Sequence, residues 1–140
     1  MDNVNSRVEQ VLQEKRPLQE QALHVLLQTL PVETHSMMEM EVWFAYIVSV
    51  KHKKEKLNMP FNAMFTGIEK IINVFSEYEM LREGLDVNME IERLYSVVDG
   101  LAVHALFEGE RLNPKRVMQT LIYHLNSILK EDMALDMPEK

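Results

Sequence analysis

The sequence predicts an all-α fold on three observations. Apolar residues recur at intervals of three and four along most of the chain, the period of helices with one buried face. Only 4 Gly and 5 Pro occur in 140 residues, and they coincide with breaks in that period, so they read as punctuation between helices rather than as strand turns. The segments between the breaks number about six, which predicts an antiparallel helical bundle.

The elements follow in order. Val4, Val8, Val11 and Leu12 mark a thin apolar stripe on a polar helix that Pro17 ends or restarts. Leu18 to Leu30 carries Leu18, Ala22, Leu23, Val25, Leu26, Leu27 and Leu30, a wide apolar face closed by Pro31, because proline cannot continue the hydrogen-bond ladder. Thr34 can cap a longer helix on which Met37, Met38, Met40, Val42, Trp43, Phe44, Ile47, Val48 and Val50 cover most of the circumference, so this helix is expected to be central. It closes in Lys51, His52, Lys53, Lys54 and Lys56. Cations suit the negative end of the helix dipole, and the cluster reads as a solvated helix end rather than a nucleic-acid contact.

Asn58 caps the next helix, with Pro60 in its first turn and Phe61, Met64, Phe65, Ile68, Ile71, Ile72, Phe75, Tyr78 and Leu81 on its apolar face. Gly84 is expected as its C-cap, and Asn88 followed by Glu90 as the start of a helix that stops at Gly109. Its core positions are Ile91, Leu94, Tyr95, Val98, Leu101, Ala102 and Ala105. Gly100 lies in its middle, where glycine costs ~1 kcal/mol relative to Ala, so something is expected to approach its backbone closely. Asn113-Pro114 is an N-cap followed by a first-turn proline, and Val117, Leu121, Leu125, Ile128 and Leu129 carry the last helix to about Lys130. One domain over 1–132 and a flexible tail over 133–140 are expected.

The formal net charge of −7, with acidic residues spread along the chain, leaves no basic face able to neutralise many phosphates. No cysteine is present, which removes disulfides, thiolate zinc sites and cysteine nucleophiles. No apolar run reaches the roughly 20 residues of a membrane span and the start has no signal-peptide pattern, so no membrane partner is expected and the default location is the cytoplasm. Glu-x-x-His, His-Glu-x-x-His, Gly-x-Ser-x-Gly, Gly-x-Gly-x-x-Gly and the P-loop are all missing. Neither an enzyme, a metal nor a cofactor is called for.

Two constellations remain. Met37, Met38, Met40, Trp43, Phe44, Met59, Phe61, Met64 and Phe65 crowd the two middle helices. Plain core packing explains most such stripes, but a flexible Met-rich wall also adapts to ligands, and aromatic faces suit cations. His104, between Leu101 and Ala105–Leu106, either offers a ligand one hydrogen bond in an apolar wall or, the weightier reading, bonds to protein. The second constellation is a surplus of apolar residues on the last two long helices: Val97 and Val98, Leu101, Met118, Leu121 and Ile122, Leu125, and Ile128. A helix pair with more apolar surface than one core can hide needs a partner.

Val98-Asp99-Gly100-Leu101-Ala102-Val103-His104-Ala105-Leu106, followed by Leu112-Asn113-Pro114-Lys115-Arg116-Val117, resembles the C-terminal domain of TetR-family transcriptional regulators. Glu41-Val42-Trp43-Phe44-Ala45, after Leu30-Pro31-Val32, is similar to its BetI-type branch. The resemblance implies an effector-sensing and dimerisation domain of a bacterial regulator, a repressor in kind, with residues 1–16 as the helix connecting it to a helix-turn-helix. No such reader precedes Val4, so DNA is expected as a partner only through that missing part. A small apolar or cationic effector is expected against Trp43, Phe44, Ile47, Met64, Phe65, Ile68 and His104. A homodimer is expected as a four-helix bundle through Val97, Gly100, Leu101, Met118, Leu121, Ile122, Leu125 and Ile128. The competing expectation is a stand-alone helical interaction module without a pocket.

Overall fold

The computed structural model describes residues 2–30, 38, 41–42, 44–46, 48–49 and 59–138. The described residues form helices joined by turns: α1 (Asp2–Gln13), α2 (Leu18–Gln28), α3 (Met59–Glu77), α4 (Val87–Phe107), α5 (Pro114–Ile128) and a 3-10 turn at Glu131–Met133. The described residues between 38 and 49 are helical as well. The all-α class is therefore the observed one.

Each helix buries the stripe its period marks. Ala22, Leu23, Leu26, Leu27 and Leu30 from α2 and its exit meet Ile68, Ile72 and Phe75 of α3. Ile91, Leu94, Val98, Leu101, Ala102 and Ala105 of α4, and Val117, Leu121, Ile122, Leu125 and Ile128 of α5, complete the same cluster. α1 packs on α2 through the buried Val11 while Leu12 stays exposed. The corner between them is tied by polar groups: Gln21 donates to the Glu14 carbonyl (3.0 Å), and Arg16 joins the Glu14 carboxylate to the His24 ring.

Several expected details differ. α3 ends at Glu77, and Glu79 rather than Gly84 supplies the left-handed residue, with φ 55°. The Met80 N–H bonds the Phe75 carbonyl (2.8 Å) and the Glu79 N–H that of Ser76 (3.1 Å), closing the α3 terminus while Met80 and Phe75 bury together. Gly84, φ 83°, serves the following turn instead. Asp86, not Asn88, caps α4 by accepting from the Met89 N–H (3.1 Å). Asn113 caps α5 as expected, accepting from the Arg116 N–H (2.9 Å).

The helix expected to be central presents Met38, Val42 and Val48 to solvent, so an apolar circumference did not mean enclosure at those positions. Its Thr34 cap, Trp43, Ile47 and the lysine cluster lie outside the described residues, as does Asn58. Past α5 the chain does not fray at Met133. Leu81 and Leu129 form an antiparallel bridge, and Asn126 clasps Leu135 at both backbone groups (2.7 Å from its N–H, 3.0 Å to its carbonyl), burying that side chain.

Candidate functional site

The α3–α4 seam gathers the aromatic and flexible residues singled out on α3. Phe65 meets Tyr95 of α4 edge to face, ring centroids 5.4 Å apart. Met64 is half-buried beside them, and Ile68, one turn on, is fully buried in the core beneath. One turn along α4 from Tyr95 stands Asp99, and the described residues provide it with no ion-pair partner. Asp99 is exposed by surface area, yet the partial desolvation of its carboxyl against the seam pushes it above the usual carboxylate range. Burial also raises the Tyr95 phenol, with the negative charges of Asp99 and Glu92 adding to the effect. An edge-to-face aromatic pair next to a carboxylate that no described residue pairs with can take an apolar group on the rings and a positive charge at the acid.

Of the other residues expected here, Phe44 is half-buried and 6.2 Å from the Phe107 ring at the far end of α4. His104 is not in an apolar wall. It is exposed, with Nδ1 near Arg111 (3.3 Å) and Glu108 (3.6 Å), because its turn of α4 faces the α4–α5 connection. Arg111 also holds Glu108 directly (2.9 Å), which lowers the Glu108 carboxyl. Tyr95 and Asp99 were missed as a pair. Their four-residue spacing was readable, but Tyr95 scores as core and Asp99 as a surface acid when each is taken alone.

The residues expected to pair divide in two. Leu101, Leu121, Ile122, Leu125 and Ile128 are buried in the chain's own core, leaving them no surface to offer a second chain. Val97, Gly100 and Met118 keep accessible surface. Among the described residues, nothing beyond the helix's own backbone comes within 4 Å of a Cβ built on Gly100, so none of them makes the expected close approach. The open faces carry Met89, Ser96, Gly100 and Phe107 on α4 and Thr120 and Tyr123 on α5. Phe107 and Tyr123 are 73% and 75% exposed. At the start of α5, Arg111, Asn113, Lys115, Arg116 and Gln119 line an open groove of about 390 Å³.

Among the described residues no group of three or more His, Asp or Glu is placed to hold a metal ion, and no helix is long and apolar enough to cross a membrane. The described residues thus form a layered helical domain with an aromatic seam beside Asp99 and two long helices left open on one face. The chain belongs to the BetI-type transcriptional repressor family, matching its C-terminal domain over residues 18–130. It is 33% identical over 131 residues to the HTH-type transcriptional regulator PksA of Bacillus subtilis (strain 168). That alignment covers 94% of this chain and 64% of the relative, so the chain spans about two thirds of the length of the curated protein it matches. No solved structure matches it. The family and the relative are transcriptional regulators, not enzymes.

Proposed function

We propose that this domain senses a small, largely apolar or cationic effector and pairs two copies of a repressor whose DNA affinity the effector alters. The observation that carries the sensing half is the Phe65–Tyr95 contact beside Asp99, with Met64 adapting to ligand shape and Ile68 as the floor. Trp43 and Ile47 are proposed to join this wall and lie outside the described residues, while Phe44 stands apart, against Phe107 at the far end of α4. Effector control requires differential affinity: the ligand must bind one arrangement of α3 and α4 better than the other, and the shift must reach α1, the proposed connection to the DNA reader. The packing of α1 on α2 through Val11, with Gln21 bonded to the Glu14 carbonyl at the corner between them, supports that step.

Pairing is proposed through the open faces of α4 and α5, where Gly100 lets a partner helix approach and Tyr123 supplies apolar area with a polar tip. A second reading, an interaction module without a pocket, is favoured by the exposed Met38, Val42 and Val48. Calorimetric titration with tetraphenylphosphonium and with a neutral aromatic of the same size separates the two. The sensing reading expects the cation to bind more tightly than the neutral compound, Phe65→Ala to weaken both, and Asp99→Asn to weaken the cation alone by about tenfold, roughly 1.4 kcal/mol. No binding of either compound, or equal affinity in all three chains, contradicts it.

A further inference from the structure

Three cations share one groove in this acidic chain. Although 22 Asp and Glu outnumber 15 Lys and Arg, the groove of about 390 Å³ at the start of α5 is lined by Arg111, Lys115, Arg116 and two amides, Asn113 and Gln119, with no acid among them. Lys115 and Arg116 are exposed, and no described carboxylate stands within ion-pair reach of either. Arg111 is anchored from the end of α4: its Nη2 donates to Glu108 (2.9 Å) and lies 3.3 Å from His104 Nδ1, while Nε and Nη1 take no part in these contacts. The positive character comes from side chains rather than from the helix end, whose Arg116 N–H the Asn113 Oδ1 already takes (2.9 Å). That bond leaves the Asn113 amide nitrogen, like that of Gln119, as a donor.

We propose that this groove binds a small phosphate monoester, at a site that shares no residue with the Phe65–Tyr95 seam. A phosphate dianion brings three acceptor oxygens and nearly two charges to a groove of donors. A carboxylate brings two oxygens and one charge, so it leaves at least one of the three cations unmatched. Two of those cations are guanidinium forks, the shape that fits phosphate oxygens two at a time. The volume exceeds what a phosphate alone fills and falls in the range of small-molecule pockets, roughly 300–1,000 Å³, so the groove has room for the organic part of an ester. Most of its surface is carbon, because lysine, arginine and glutamine expose their stems as well as their heads, and the stems can carry that organic part. An open groove leaves the charges solvated, so each contact gains little and a dissociation constant of about 0.1–1 mM is expected.

Titration of the full chain with phenyl phosphate, inorganic phosphate and benzoate at pH 7.5 tests the site, in about 0.15 M salt, where diffuse attraction between exposed charges is screened. Calorimetry reads the affinity, and nuclear magnetic resonance reads which backbone amides shift. Phenyl phosphate is expected to bind most tightly, inorganic phosphate more weakly for want of the organic part, and benzoate about tenfold more weakly than phenyl phosphate. The shifts are expected to be confined to residues 111–119. Lys115→Gln combined with Arg116→Gln, and separately Arg111→Gln, should each weaken phenyl phosphate by about tenfold at unchanged helix content, while Lys70→Gln, exposed on α3, leaves it unaltered. Benzoate binding as tightly as phenyl phosphate overturns the ligand class. Shifts spread evenly over exposed lysines such as Lys70 and Lys115 mean charge screening alone and overturn the site, as do unchanged affinity in the groove variants and an absence of binding by phenyl phosphate.

Discussion

Glu79 holds φ 55° with its side chain exposed at the end of α3, a conformation that costs an L-residue about 1–2 kcal/mol and glycine almost nothing. Glu79→Gly is expected to raise the melting temperature by about 2–4 °C, read by thermal unfolding, with the gain reduced by the added entropy of the unfolded chain. Two histidines carry the opposite kind of tension. Burial lowers His24 and His124 below 6.5, with Arg16 and Arg93 respectively adding to the effect. A depressed folded value means the unfolded chain binds more protons in that window, so stability is full above 6.5 and is lost as pH falls through the folded values. Urea midpoints measured from pH 7.5 to 5 should therefore fall, and a chain with His24→Asn and His124→Asn should show a shallower fall. Asp99 runs the other way. Its raised carboxyl means that the fold disfavours its charge at neutral pH, so Asp99→Asn should gain stability at pH 7 while losing the cation.

At the scale of elements, starts and stops were legible where one side chain decides them. Asn113-Pro114 places a cap and a preset φ in adjacent positions, and α5 begins there. The start of α4 offered two cap residues two positions apart. Asp86 wins, and from that start Glu90 turns inward, an outcome that depends on Arg93 and α5 rather than on local preference. The α3 stop was misassigned because glycine is the usual left-handed residue, whereas the burial of Met80 against Phe75 draws Glu79 into that role. The C-terminal segment lacks helical period, so the sequence carries no sign of its docking. Its docking combines the backbone pairing of Met80–Arg82 with Ile128–Lys130 and the burial of Leu135 with the Asn126 amide, which reaches nine residues forward. Asn126→Ala should cost about 1–3 kcal/mol and expose Leu135, seen as faster hydrogen exchange at Leu135 with α2 and α3 unchanged.

For the whole molecule, the core was legible and the division between core and interface was not. Period alone marks Leu121 and Leu125 as apolar, but it cannot say whether the chain or a second copy covers them. The structure covers them internally, because α5 turns that stripe toward α2 and α4. Leu125→Ala should therefore cost about 2–5 kcal/mol in a monomeric unfolding measurement. The sensing seam was half legible: Met64, Phe65 and Ile68 came from spacing on one helix, while Tyr95 and Asp99 gain meaning only when α4 lies against it. The surface left for pairing is smaller and more polar than the surplus first counted, centred on Gly100 and Tyr123. Sedimentation velocity of the chain and of Tyr123→Glu at micromolar concentration and pH 7.5 tests the regulatory reading most directly. The unaltered chain is expected to sediment as a dimer and Tyr123→Glu as a monomer of unchanged helix content; a monomeric unaltered chain, or a variant that still pairs, would contradict it.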